Sequence, residues 1–152
     1  MRILEGDIFD YMNQGCFDIV IHGCNCFNTM GAGIAAQFKT KYPSVCNIDL
    51  QSTKGDKNKL GKFTESQITT QANNHKVIVL NAYTQFHYGS GLKADYQAIR
   101  NVFNLISKRF SKENRIGYPQ IGAGLAGGDW KLISQIINEE LKGFDHTVVI
   151  YK

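Results

Sequence analysis

The sequence predicts an α/β fold built on a mostly parallel sheet, and three observations carry that reading. Short apolar runs at residues 17–22 (FDIVIH) and 77–82 are continuous rather than alternating, as in strands buried on both faces. Longer stretches between them place apolar residues at three- and four-residue steps, the helical period. Two glycine loops, at residues 30–38 (MGAGIAAQF) and 121–130 (IGAGLAGGDW), each follow an apolar run and precede a helical one. Strands and helices therefore alternate along the chain.

Each element has its own signal. Residues 2–4 start a short strand, and Gly6 and Asp7 lead into a helical turn through Tyr11. The run at 17–22 is the first fully buried strand. Residues 33–41 form a helix that stops before Pro43, because proline's ring restricts the preceding residue to extended conformations. Residues 46–50 read as a poor strand. Residues 51–62 carry four lysines among glycine and asparagine breakers and read as an exposed loop. Alternation at 63–70 suits a strand, and 77–82 is a second buried one. Over 94–110, Ile99, Val102, Phe103, Ile106 and Phe110 share one face of an amphipathic helix. Residues 115–119 lead into the second glycine loop. Trp130, Ile133, Ile136, Ile137 and Leu141 mark another helix, which Gly143 stops. Residues 147–151 are the last strand.

Composition bounds the function. A chain of 152 residues with 43% apolar and 11% aromatic content makes one domain, spanning 1–152, with a proper core. Nothing reads as a signal peptide or membrane span, so a cytoplasmic monomer is expected, away from membranes. Cys16, Cys24, Cys26 and Cys46 form no CxxC pair and have no clustered histidines, so reduced thiols and no metal or cofactor are expected. A net charge of +4 suits anionic ligands without demanding nucleic acid.

The glycine loops point to phosphate. Glycine lets backbone N–H groups approach an anion, and the following helix adds its positive end. One loop grips one phosphate, so two suggest a diphosphate held from both sides. Gly31, Gly33 and Ala36 also fit the dinucleotide pattern GxGxxA, and Gly122, Gly124 and Gly127 fit GxGxxG. An ordinary dinucleotide fold is the lesser reading. The second loop leaves one helix and one strand before the chain ends, and Asp49, the acid after the first loop, sits in a poor strand.

The runs LEGDIFD, DIVIHGCNCFNTMGAGIA and YPQIGAGLAGGDW, with a final apolar strand ending at Tyr151, resemble the macrodomain family over nearly the whole chain. Macrodomains are ADP-ribose-binding modules. The nearest resemblance is to the small macrodomains grouped with ADP-ribose-1″-phosphate phosphatases and terminal ADP-ribose glycohydrolases, phage-encoded relatives included. It implies a three-layer α/β/α fold with a mixed central sheet, and ADP-ribose or a derivative as ligand. A phage-encoded protein of this kind would act in the host cytoplasm.

The resemblance also implies site residues. Asp7 would accept the adenine amino group beside the Ile8 N–H, with Tyr151 packing on the ring. Asn25 would bind the distal ribose. Gly31, Ala32, Gly33 and Ile34 would hold that ribose and one phosphate, and Gly122, Ala123, Gly124, Leu125 and Ala126 the other phosphate. Each has a plainer alternative: a helix cap for Asp7, a turn former for Asn25, tight strand–helix turns for the loops, and a core aromatic for Tyr151.

Departures from the family pattern bear on catalysis. His22, Gly23 and Cys24 replace an asparagine and two alanines, making His22 a candidate acid or base against the plainer reading of a buried structural group. Gln85 stands where the glycohydrolase branch has a nucleophilic lysine, and Lys93 lies eight residues further on. Ala126 replaces that branch's aspartate. Asp129, three residues later, is either a general base or the N-cap of the next helix. Asn28, His87 and Tyr88 are secondary candidates at the rim.

These implications converge on ADP-ribose binding with removal of a group from the distal ribose, foremost the phosphate of ADP-ribose 1″-phosphate. The alternatives are a hydrolase of ADP-ribosylated protein or nucleic acid, and a non-catalytic reader.

Overall fold

The computed structural model describes residues 1–89 and 91–152. Its elements are β1 (Arg2–Glu5), α1 (Ile8–Asn13), β2 (Ile19–Cys24), α2 (Gly33–Lys41), α3 (Pro43–Leu50), β3 (Phe63–Thr69), β4 (Lys76–Tyr83), α4 (Tyr96–Arg109), β5 (Arg115–Tyr118), α5 (Trp130–Glu140) and β6 (Asp145–Ile150), with a 3-10 turn at Lys57–Lys59 between α3 and β3. Strand order is β1-β6-β5-β2-β4-β3. Only β3 runs antiparallel, along β4, so the sheet is mixed as expected.

Helices cover both faces. On one, α4 (Ile99, Val102, Phe103, Ile106) and α5 (Ile133, Ile136, Ile137) pack on Ile19, Ile21, Leu80 and Ile116. On the other, α1 (Ile8, Phe9, Met12), α2 (Phe38) and α3 (Val45, Cys46) pack on Val20, Val77, Val79 and Val149. The buried strands β2, β4 and β6 feed side chains to both layers, which is why their sequences run apolar without alternation.

Two expectations are corrected. The supposed strand at 46–50 belongs to helix α3, which starts on Pro43 at its first turn; Tyr42 both ends α2 and opens α3. Proline's fixed φ suits a helix start, so one residue acts as stop and start. The segment 51–62 is polar and half of it is exposed, but Lys59 and Gly61 within it are buried.

Two histidines lie in the core as neutral rings. His22 Nε2 meets Asn81 Oδ1 at 2.6 Å, and His146 Nδ1 meets the Tyr118 hydroxyl at 2.6 Å. Burial lowers the pKa of each from 6.5 to about 4. Folded values lie below unfolded ones, so folding favours the neutral rings. Their stabilisation is complete above pH 6.5 and is lost as pH falls towards 4. For His22 this amounts to roughly 3 kcal/mol. Urea midpoints should therefore drop steeply between pH 6.5 and 4, and a flat profile there would refute the assignment.

Candidate functional site

All five parallel strands point their carboxyl ends at one edge of the sheet, and the connections diverge between β2 and β5. From β2 the chain leaves through α2 and α3 on one face towards β3 and β4. From β5 it leaves through α5 on the other face towards β6. Such a switch point opens a crevice at the strand ends, where ligands of α/β sheets bind. The two glycine loops are the connections that leave β2 and β5, so they flank this crevice.

Neighbouring loops are stitched to them. Beyond β6, Lys152 N donates to Gly6 O at 3.3 Å, and Gly6 N donates to Ile150 O at 2.9 Å, which sets Tyr151 beside the Gly6–Asp7 turn. The connection after β4 reaches both sides. Cys26 N donates to Phe86 O at 2.9 Å, and Lys93 N donates to Ala126 O at 2.8 Å. Asp7, Ile8, Asn25, both glycine loops and Tyr151 thus share one edge of the molecule. Hollows of about 280 and 400 Å³ lie at the opposite strand ends, around Arg2, Arg115 and Asp145, and include none of these groups.

The two glycine loops differ in what they offer. The N-cap of α2 is Ala32, which provides no side-chain cap. Gly31, Ala32 and Gly33 are exposed, and a Cβ on Gly31 or Gly33 would meet nothing within 4 Å. Gly33 has φ +58°, a conformation that favours glycine. The first-turn N–H groups of α2 therefore lie open at the positive end of the helix.

The second loop is more self-contained. Ala123 N donates to Gln120 O at 3.2 Å, Gly127 N to Gly124 O at 3.1 Å and Gly128 N to Gly122 O at 2.7 Å. The Ala123 N–H thus closes a turn within the loop. A Cβ on Gly128 would come within 2.5 Å of Gly122 O, so this close approach requires glycine. Gly124 is exposed, with open space around it and no positive φ.

Individual candidates separate clearly. Asp7 caps α1, accepting from Phe9 N at 2.9 Å. Asn25 is half-buried. It accepts from Phe27 N at 2.8 Å and donates to Thr29 Oγ1 at 2.7 Å, shaping the turn before the first glycine loop. Asp129 is exposed and caps α5 by accepting from Lys131 N at 3.0 Å, while its own N–H donates to the Tyr96 hydroxyl at 3.0 Å. Tyr151 is 75% exposed, so it is not a core aromatic.

His22 is corrected as an acid or base. Its ring is fully buried, packs on Phe38 at 4.7 Å and is held by Asn81. His87 and Tyr88 are exposed and cluster with Phe27 and Phe86 at the rim. Gln85 donates to His87 O at 2.8 Å within the same loop. Sequence reasoning missed three supporting residues: Thr29 behind Asn25, Tyr96 behind Asp129, and Lys59 beneath Cys26 and Asn28. Only Lys59 carried a signal, a charge in a loop, and it pointed to solvent. Among the described residues no cluster of three His, Cys, Asp or Glu side chains could hold a metal, and no helix is long and apolar enough to cross a membrane.

Comparison with known proteins decides the family. The model of the Macro domain family matches residues 21–137, from β2 through α5. The chain belongs to the Macro domain family. It is 34% identical over 144 residues to an uncharacterised 17.5 kDa protein of Enterobacteria phage T4, covering 91% of this chain and 88% of that protein. It is 25% identical to an ADP-ribose 1″-phosphate phosphatase of Aspergillus oryzae, covering 98% of this chain and 92% of that protein. Among solved structures, Thermosipho africanus DarTG in complex with ADP-ribose superposes with a TM-score of 0.75 at 20% identity, over 99% of this chain and 41% of that one. The macrodomain of Mycobacterium tuberculosis DarG gives 0.72 at 22%, over 98% and 96%. At these identities the two structures establish the shared fold.

Proposed function

We propose that this macrodomain binds ADP-ribose across the β2–β5 crevice and releases the phosphate from ADP-ribose 1″-phosphate. The observation that carries the reading is the uncapped, exposed N-terminus of α2, facing the crevice behind Gly31–Gly33. Several curated relatives are named ADP-ribose 1″-phosphate phosphatase, and a structural neighbour is in complex with ADP-ribose. Adenine lies at Asp7, Ile8 and Tyr151. The diphosphate lies between the α2 terminus and the N–H groups of Gly124, Leu125 and Ala126. The distal ribose lies against Asn25.

Water then attacks phosphorus, the bond from phosphorus to the ribose oxygen breaks, and ADP-ribose and inorganic phosphate leave. The fixed backbone donors supply electrostatic preorganisation. Asp129 is the one ionisable side chain in either glycine loop and serves as general base while one of its oxygens caps α5. Asp129→Asn separates these roles, because asparagine caps as well as aspartate but takes no proton. It should keep stability within about 0.5 kcal/mol and lose about 100-fold in single-turnover rate. An unchanged rate would reduce Asp129 to a cap.

The deciding assay presents the wild-type protein with ADP-ribose 1″-phosphate and with mono-ADP-ribosylated protein. Phosphate release from the first is expected. Release of ADP-ribose from the second would instead favour the de-ADP-ribosylating hydrolase, a reading supported by the exposed Tyr88, Leu92 and Leu125, which leave room for a macromolecular carrier. Binding without turnover of either would make it a reader, as Gln85 and Ala126 in place of the glycohydrolase residues allow.

A further inference from the structure

Lys59 comes from the most polar stretch of the chain, yet its side chain turns inward and the residue is 8% exposed. Nζ donates to Cys26 O at 3.1 Å and to Asn28 Oδ1 at 2.5 Å, and it lies 4.9 Å over the Tyr83 ring. A buried ammonium is costly unless acceptors surround it, and these three contacts supply them. Two of the three belong to the connection between β2 and α2, which carries Asn25 and the first glycine loop.

That connection needs a support. Asn28 has φ +58°, which is uncommon for a residue with a Cβ and persists only where surroundings enforce it. Its Nδ2 donates to Ser52 O at 2.8 Å, so one side chain is gripped from two points of the same lysine-rich segment. A further backbone bond, Gly55 N to Cys26 O at 2.7 Å, ties the two stretches together. Beneath them, the Tyr83 hydroxyl donates to buried Asp49 at 2.7 Å. Asn81 links Thr64, at 3.1 Å, to His22. Lys59 therefore joins the crevice loop to a buried polar network rooted in β4 and α3.

We infer that Lys59 is a positioning residue. It fixes residues 25–33 so that Asn25 and the open end of α2 hold their places opposite the second glycine loop. Its benefit to ligand rests on the proposed function, whereas its hold on the loop is a property of the free protein.

Two measurements on Lys59→Met and Lys59→Arg keep these apart. In the free protein, exchange of the hydrogen-bonded Cys26, Phe27 and Gly55 amides should accelerate about tenfold or more in Lys59→Met, with α4 and α5 unchanged, and Lys59→Arg should restore most of the protection. Calorimetry should show ADP-ribose affinity falling about tenfold relative to AMP in Lys59→Met. Asn28→Gly removes the side-chain acceptor while easing the positive φ, so it should fold and show the same local acceleration. Exchange unchanged at these three amides, or raised equally throughout the protein, overturns the inference. Local acceleration in a protein whose wild type fails to bind ADP-ribose upholds the inference and refutes the proposed function.

Discussion

Gly33→Glu is expected to yield a folded protein whose ADP-ribose affinity has fallen at least about 100-fold. For the wild type, two phosphate-facing loops predict micromolar binding or tighter, about 8 kcal/mol. Gly33 opens α2, at the point where the unpaired N–H groups converge and a Cβ meets nothing within 4 Å. A glutamate there places a carboxylate on the anion site and competes with the phosphate for the same donors. Its φ of +58° adds strain of about 1–2 kcal/mol, so a lower melting temperature is also expected.

Gly33→Ala isolates that strain, since it carries the Cβ without the charge, and it should bind much better than Gly33→Glu. Gly124→Glu is the counterpart on the second loop. Gly124 has no positive φ and open space around it, so folding should be spared while binding weakens. Calorimetry with circular dichroism checks all three variants. Undiminished affinity in folded Gly33→Glu would mean that the α2 terminus does not line the site.

The features legible in sequence are those set by local chemistry. Helix α2 was readable from end to end because Gly33 permits its start and Pro43 forces its stop. The buried strands were readable because two-sided burial demands continuous apolar runs. Helix α3 was not. Its buried face is Val45, Cys46 and Asp49, and a buried carboxylate breaks the apolar period on which a helix assignment rests. Asp49 is tolerated there because the Tyr83 hydroxyl, distant in sequence, donates to it.

The site was legible as motifs and opaque as partners. Nothing local distinguishes Lys59 from the lysines around it; its burial follows from acceptors on Cys26 and Asn28 that folding brings beneath the loop. His22 was a candidate acid or base because it stands where the family pattern has an asparagine, against the plainer reading of a buried structural group; its full burial, Phe38 and Asn81 on the neighbouring strand favour the latter. The two glycine loops look alike in sequence. They differ because α5 begins with a capping aspartate whereas α2 begins with Ala32.

Asn25→Ala should lower the turnover of ADP-ribose 1″-phosphate about 100-fold or more while ADP-ribose binding weakens far less. A ribose held in the wrong orientation forfeits the proximity contribution to rate, whereas adenine and diphosphate contacts remain. The structure adds a complication, because Asn25 also builds its own turn through Phe27 N and Thr29 Oγ1. Loss of activity could then reflect a loosened loop and no contact with ribose. Thr29→Val resolves this, since it removes the hydroxyl that Asn25 donates to and leaves the Asn25 amide in place. If Asn25 acts on the ribose, Thr29→Val should retain turnover within a few-fold of wild type. Equal losses in the two variants, with affinity preserved in both, would show that Asn25 acts only by shaping the loop.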